Sequence, residues 1–413
     1  MNDPDITADS DEQTSASPVL MYDLVEQAIC ENATDIHIDP SRDGVLIRFR
    51  VDGLIRTADT LSSEKAQRLT NEIRVHSKIE IERIFRPHEG RFSYTSEHGR
   101  KDFRVTAVPV EDTVSLHIRL LTPPARFSDI ERLGFAEQDM TKVIRALERP
   151  EGLILVCGPT GAGKSTTMYS MISQLDLSSM AAVSIEDPVE FRIPYMRQVE
   201  MDEDHGLTMY AGLRSLLRMD PDLIMISEIR DPESAVTSVR AAAAGRFVLA
   251  TVHSRDSAAA VEALHYLSVP FTILGSSLRL IIAQNLVRRV CAECREERDI
   301  RSKEKKLFKK AGIDPPKKVP AARGCEACAQ SGYSGRIGIF ETVEVDEDLS
   351  SIITEGHDQI ELRRIIRDRG SLTLIGDALS KVASGSTTVE EVMQIYWPGS
   401  KKERTLDISA WRE

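Results

Sequence analysis

The pattern of apolar and polar positions changes character near residue 121. From Val19, VLMYDLVEQAIC carries apolar residues at helical spacing, with an end expected at Asn32 or Ala33. ATDIHIDP then alternates Ile36, His37, Ile38 and Asp39, the signature of a strand. GVLIRFRVDGLIR repeats the alternation, with Arg48 and Arg50 on one face and Ile47, Phe49 and Val51 on the other. A charged turn from Ser41 to Gly44 separates the two strands. Residues 61–83 read as helix, and FSYT, DFRVTAVPV and VSLHIRLL as further strands. Residues 19–121 are thus expected to form a small α+β domain. In LLTPPARFSDIERLG, Pro123 and Pro124 stop regular structure, so 122–133 reads as a linker.

Beyond it the pattern alternates strand and helix signals. LILVC, AAVSI, LIMIS and FVLATV are strand candidates with helical segments between, as in a mostly parallel sheet. This α/β domain is expected over 134–395. A cysteine region, 291–340, interrupts it, and 341–395 is expected to be helical. There IELRRIIRDRG and IGDALSKVASGSTTVEEVMQIYW space apolar residues by three and four. Both ends lack such patterning. Residues 1–18 hold Asp3, Asp5, Asp9, Asp11 and Glu12 with no Lys or Arg, which suggests a disordered acidic leader, and 396–413 reads as a loose tail.

Composition narrows the class. The chain has 413 residues, 41% hydrophobic and 29% charged, enough for two or more globular domains. A net charge of −12 argues against a general nucleic-acid coat, so no direct nucleic-acid partner is expected. No apolar run approaches the ~18 residues of a membrane span, and the acidic N-terminus lacks a secretory signal. A cytoplasmic protein is expected, with membrane contact made through partners. Four of the six cysteines form two C-x-x-C pairs, which in a reducing compartment points to metal before disulfide.

The strongest chemical signal is GPTGAGKS, Gly158 to Ser165, a full match to G-x-x-x-x-G-K-[ST] between an apolar run and a stretch free of Pro and Gly as far as Leu177. The glycines let backbone N–H groups turn inward around phosphates. Lys164 can reach β- and γ-phosphates, Ser165 can hold Mg²⁺, and the helix N-terminus adds positive charge. Gly158, Pro159, Thr160, Gly161, Ala162, Gly163, Lys164, Ser165 and Thr166 are the candidate binding residues.

Three further strand ends carry polar groups. DPDLIMISEIRD ends in Glu228, placed to organise Mg²⁺ or its waters, or simply a buried strand followed by a charged turn. VSIEDPVEF gathers Glu186, Asp187 and Glu190, as a water-activating or metal-contacting group or as a solvated turn. LATVHSRDS ends in His253, a donor to a γ-phosphate or merely a hydrogen-bonded histidine. Cys291, Cys294, Cys325 and Cys328 make two knuckles thirty residues apart, a closed tetrahedral set suited to structural Zn²⁺, with a disulfide or unliganded state as the alternative. The KEKKLFKKAG run between them reads as a solvated helix face, or as a contact for acidic partners or lipid head groups. Cys30 and Cys157 are expected in the core.

In order and spacing these motifs resemble the type II secretion and type IV pilus assembly ATPases, hexameric motors on a RecA-like core. DIHIDP, IRFRVDG, GPTGAGKSTT, IEDPVEF, GLTMYAGLRSLLRMDPDLIMISEIRD, ATVHS, AQNLVRRVCAEC, GCEACAQSGYSGRIGIFE and SGSTTVEEV carry the resemblance over about residues 22–395. It implies an ATPase with Mg²⁺-ATP on Lys164 and Ser165, Glu186 as catalytic base, Glu228 as the Walker-B acid and His253 in the His box. It implies that arginines of the first domain, with Arg48, Arg50, Arg104 and Arg119 as candidates, reach a nucleotide across a domain or subunit boundary. The tetracysteine module marks assembly-type motors, and the implied partners are further copies in a homohexamer and inner-membrane platform proteins. A motor for DNA uptake and a non-hydrolysing nucleotide-binding scaffold are the alternatives.

The chain departs from the family pattern at four places. Ser227 stands where Gly is usual, and Ala244-Gly245-Arg246 where T-G-H is usual, giving a fixed cation expected to lie near the Mg²⁺. VEDTVSLHIRLL lacks the usual Gly-Glu pair, and no room is expected for the additional N-terminal docking domain of many members.

Overall fold

The structure is a computed structural model that describes residues 20–42, 44–80, 86–97, 99–111, 113–121 and 129–396. The acidic leader 1–18, positions 122–128 of the expected linker and the tail from 397 onward lie outside the described residues. The chain divides into two compact units, Met1–Pro124 and Ala125–Glu413.

The first unit comprises α1 (Leu20–Cys30), β1 (Ala33–Ser41), β2 (Gly44–Val51), β3 (Leu54–Leu61), α2 (Ser63–His76), β4 (His88–Ser96), β5 (Gly99–Val110) and β6 (Thr113–Leu121). Its strands form one antiparallel sheet in the order β3-β2-β1-β6-β5-β4. The period-two alternation places Ile36, Ile38, Ile47, Phe49, Phe103, Val105 and Ile118 on the face that packs with α1 and α2. The polar residues fall on the other face. Two expectations need correction. GVLIRFRVDGLIR is not one strand: Asp52 and Gly53 both take positive φ, 49° and 85°, and turn it back as the hairpin β2–β3. The helix expected over 61–83 ends at His76, where Lys78 adopts a left-handed conformation, and 81–83 lie outside the described residues.

The second unit opens with α3 (Glu137–Leu147), β7 (Gly152–Cys157), α4 (Lys164–Ile172), β8 (Ala182–Glu186), β9 (Met196–Glu200), α5 (Met209–Leu216), β10 (Leu223–Ile226), α6 (Pro232–Ala243) and β11 (Phe247–Val252). It continues with α7 (Ser257–Tyr266), α8 (Phe271–Ser277), β12 (Leu278–Val290), β13 (Glu296–Asp299), α9 (Ser302–Lys310), β14 (Lys318–Ala321) and β15 (Tyr333–Glu344). Helices α10 (Glu347–Glu355), α11 (Gln359–Asp368), α12 (Leu374–Ala383) and α13 (Val389–Tyr396) complete it.

The seven-stranded sheet runs β15-β12-β7-β11-β10-β8-β9, parallel except for β15. All six positions of β7 are buried, as a central strand covered on both faces requires. Leu153, Leu155 and Cys157 face the core built with α5, α6, α7 and the C-terminal helices, while Ile154 and Val156 face α3 and α4. Strands β9, β12 and β15 were not expected from the apolar pattern. Residues 341–344 finish β15 rather than begin the helical part, which starts with α10. The cysteine region, with an antiparallel β13–β14 pair joined through α9, is an insertion between β12 and β15.

Candidate functional site

Parallel pairing sets the C-terminal ends of β7, β11, β10 and β8 side by side, and each delivers one group. The loop after β7 is the GPTGAGKS segment. A Cβ on Gly158 would lie 2.3 Å from the Gln284 carbonyl oxygen, so only glycine fits there. Gly163 enters α4 in the left-handed region, φ 86°. Ser165 and Thr166 fall in the first turn of α4, beside its unpaired backbone N–H groups. Pro159, Thr160 and Gly161 are exposed at the loop tip, while Ala162 is buried.

Lys164 folds over the loop. Its Nζ donates to the Gly158 carbonyl at 2.9 Å and lies 3.2 Å from His253 Nδ1. Burial lowers the ammonium pKa below its usual value, opposed by the Glu228 carboxylate. His253 Nδ1 also lies 3.2 Å from the Gly158 oxygen, and can accept from Lys164 or donate to that oxygen, but not both. Its Nε2 pairs with Glu228 Oε1 in close contact, off the direction of a hydrogen bond. Glu228 Oε2 accepts from Arg230 at 2.6 and 2.8 Å, and Arg230 reaches Asp187 at 3.1 Å. The contacts thus run Lys164–His253–Glu228–Arg230–Asp187, in the order of the strands beneath them.

Glu186, the last residue of β8, points inward and is 2% exposed. Its carboxylate accepts hydrogen bonds from Tyr169 Oη, Ser184 Oγ at 2.5 Å and Gln198 Nε2 at 3.0 Å. Asp187 and Glu190 are exposed. A cavity of about 400 Å³ opens at the ends of β8 and β10, lined by Asp187, Thr208, Tyr210, Ser227, Glu228 and Arg230 among others. The Ser227 hydroxyl is buried there with no hydrogen-bond partner.

Sequence reasoning missed Gln284. From β12 its Nε2 donates to the Ala162 carbonyl at 2.6 Å, and its Oε1 accepts from Thr167 at 2.8 Å. It pins the loop from behind, and the signal was only a polar residue within an apolar run. Arg246 corrects an expectation in the other direction. It precedes β11, at the end of the sheet where Gly152 N–H donates to its carbonyl, so the phosphate loop lies at the far end. Six strand residues at about 3.3 Å each put it roughly 20 Å from His253. It is not a charge beside the phosphates.

The four candidate arginines of the first unit are all paired within that unit. Arg48 binds Asp39 at 2.7 Å, Arg104 Nε binds Glu89 at 3.1 Å, and Arg50 and Arg119 share Asp35 at 3.5 and 3.1 Å. Asp35 also accepts from His117 at 2.9 Å; burial raises its pKa, but hydrogen bonds from His117 and Thr34 and the Arg119 charge outweigh it and hold the carboxyl well below the usual range.

The Sγ atoms of Cys291, Cys294, Cys325 and Cys328 lie within 4.8 Å of one another. Separations of 3.7 to 3.9 Å are far beyond a disulfide bond, and match the roughly 3.8 Å edge of a tetrahedron with ~2.3 Å metal–sulfur bonds. The backbone N–H groups of Gly324, Cys325 and Gly332 point at these sulfurs, at 3.2 to 3.3 Å, as suits thiolate ligands. Cys157 is buried, but Cys30 is exposed and is not a core residue. Lys303, Lys305, Lys306, Lys309 and Lys310 of α9 are exposed, while Phe308 anchors that helix in the core.

The chain matches the family described as "Type II/IV secretion system protein" over residues 9–394. It is 35% identical over 395 residues to the type II secretion system protein HxcR of Pseudomonas aeruginosa, spanning 95% of this chain and 80% of that protein. It is 34% identical to the type IV pilus assembly ATPase PilB of Thermus thermophilus over 92% of this chain, though only 43% of that protein. The crystal structure of the Legionella pneumophila ATPase DotB shares the fold, with a TM-score of 0.67 at 22% identity over 94% of this chain and 98% of that one.

The role of Gln284 is testable through loop dynamics. Gln284→Leu is expected to speed hydrogen exchange at the backbone amides of residues 161–163 about tenfold, because a buried carbonyl and a buried hydroxyl lose their partner. Unchanged exchange there would show that the loop holds its shape without this side chain.

Proposed function

The chain belongs to the Type II/IV secretion system protein family, and on that premise we propose how its site works as a motor ATPase for assembling a type IV pilus or a type II secretion pseudopilus. Membership makes it a P-loop ATPase, and the observation that carries the functional reading is the line of contacts from Lys164 through His253 to Glu228. ATP phosphates would lie on the loop from Gly158 to Gly163 and the first turn of α4, with Lys164 exchanging the Gly158 carbonyl and His253 for phosphate oxygens. Ser165 and Glu228 would hold Mg²⁺, which would supply positive charge against the phosphates. His253, bridging Lys164 and Glu228, would register whether a γ-phosphate stands between them.

Glu186 would orient and deprotonate the attacking water, and three donors fix its carboxylate in one geometry. The 2% exposure of Glu186, and the contact of Glu228 with His253, favour a second reading in which the two glutamates exchange roles. In a homohexamer the arginines of the first unit, Arg48, Arg50, Arg104 and Arg119, would complete a neighbour's site by exchanging their carboxylate partners for phosphate. The motor would work in the cytoplasm, against inner-membrane platform proteins. Consistent with that, no helix among the described residues is long and apolar enough to cross a membrane. Zn²⁺ would be held by Cys291, Cys294, Cys325 and Cys328 as a structural ion with every position filled.

Sustained phosphate release from ATP by the full chain is the expected activity, and Lys164→Ala should abolish most of it while leaving the fold intact. Turnover near that of the parent in the folded variant would remove the assignment of the loop.

Single-turnover Mg²⁺ titrations separate the glutamates. Glu186→Gln is expected to bind Mg²⁺-ATP like the parent and to lose ~10²–10⁴ in rate, whereas Glu228→Gln should also raise the Mg²⁺ requirement. The opposite pairing of effects would reverse the roles.

Metal analysis of freshly purified protein should find about one Zn²⁺ per chain, and Cys325→Ser should lose it. Unchanged metal in that variant would place the ion elsewhere.

A further inference from the structure

Helix α4 does more than start at the phosphate loop. Ser165 and Tyr169 are four residues apart and share one face of it. Tyr169 is 3% exposed, and its ring meets Phe191 edge-on, with centroids 5.5 Å apart. Its hydroxyl donates to Glu186 Oε2 and accepts from the Glu190 backbone N–H. One side chain therefore ties the phosphate-loop helix to both ends of the turn that carries Glu186, Asp187 and Glu190.

We propose that Tyr169 is the positioning residue for Glu186: its hydroxyl holds the carboxylate in register with the face of α4 that presents Ser165. The inference rests on the reading of Glu186 as the base. Of the three donors to that carboxylate, Ser184 comes from the same strand as Glu186 and Gln198 from neighbouring β9. Tyr169 alone of the three comes from the helix that the phosphate loop enters, so it alone transmits the position of the loop to the carboxylate. The phenol stays a donor throughout the neutral range. Burial, followed by the Glu186 charge, raises its pKa far above the usual value.

The test uses steady-state kinetics of the full chain. Tyr169→Phe keeps the ring and its contact with Phe191, so melting temperature and KM for ATP should stay near those of the parent. The kcat is expected to fall about tenfold to a hundredfold. In the Glu186→Gln background the same change should cost nothing further, because the residue acts through that carboxylate. Should Tyr169→Phe melt early, kcat and KM are read in both backgrounds at a temperature where the variant is still fully folded, and the same outcomes decide. The proposal is overturned if Tyr169→Phe turns over like the parent while Glu186→Gln is inactive, or if the two losses multiply in the double variant. Full activity of Glu186→Gln itself would remove the base reading, and the proposal with it.

Discussion

Everything at the site depends on one geometric constraint: neighbouring parallel strands deliver their last residues to a common edge. Strands β7, β11, β10 and β8 are consecutive in the sheet, about 4.8 Å apart. The groups that follow them, Lys164, His253, Glu228 and Asp187, are therefore within reach of one another although they span 89 residues of sequence between Lys164 and His253. Lys164 meets His253, His253 meets Glu228, and Arg230 joins Glu228 to Asp187, so a histidine stands between the Lys164 cation and the first carboxylate of the line. Any group that displaced Lys164 from the Gly158 carbonyl would also disturb its contact with His253, and through His253 the position of Glu228.

The same sheet extends that coupling away from the nucleotide edge. Strand β12 contributes Gln284 to the rear of the phosphate loop and ends at Val290, the residue before Cys291. Its partner β15 leads back from Cys328 and supplies the buried Glu341, which accepts the Ser257 backbone N–H at the start of α7. Burial raises the pKa of that carboxyl. The cysteine module is thus the tip of a two-stranded arm whose base touches both the loop before α4 and the segment after His253. Arg288 stiffens the arm midway: it binds Glu391 of α13 at 2.6 to 3.1 Å and lies 4.0 Å over the Tyr333 ring. A tetrahedral ion at the tip would hold the two strands in a single register.

Much of this was legible in the chain, for identifiable reasons. Runs such as LILVC and FVLATV are continuous apolar segments of strand length, so they read as strands without context, and Gly158 and His253 after them mark the strand ends. Strand β12 was not legible, because LRLIIAQNLVRRV mixes apolar and polar positions whose pattern is set by different neighbours along its length: β7 at the start and β15 throughout. Gln284 is one polar residue within an apolar run, and only the pairing of β12 with β7 shows it standing behind the loop. The inward aim of Glu186 was illegible for a related reason. Its three donors come from α4, β8 and β9, and nothing in IEDPVEF names them.

Arg246 shows how sequence proximity misleads in a parallel sheet. It lies seven residues before His253, close enough for both to seem parts of one charged box. A helix would bring such positions to within about two turns of each other. A strand instead carries them to opposite edges, roughly 20 Å apart, with Arg246 at the edge where Gly152 begins β7 and His253 at the edge where Cys157 ends it. The loss of histidine at 246 therefore leaves the contacts of Lys164, His253 and Glu228 intact. Ser227 is the departure that does reach the site, because it adjoins Glu228 on the same strand end and places a buried hydroxyl in the cavity beside it. A Gly there would leave the cavity wall without that hydroxyl, so of the two substitutions this one changes the chemistry available around Glu228.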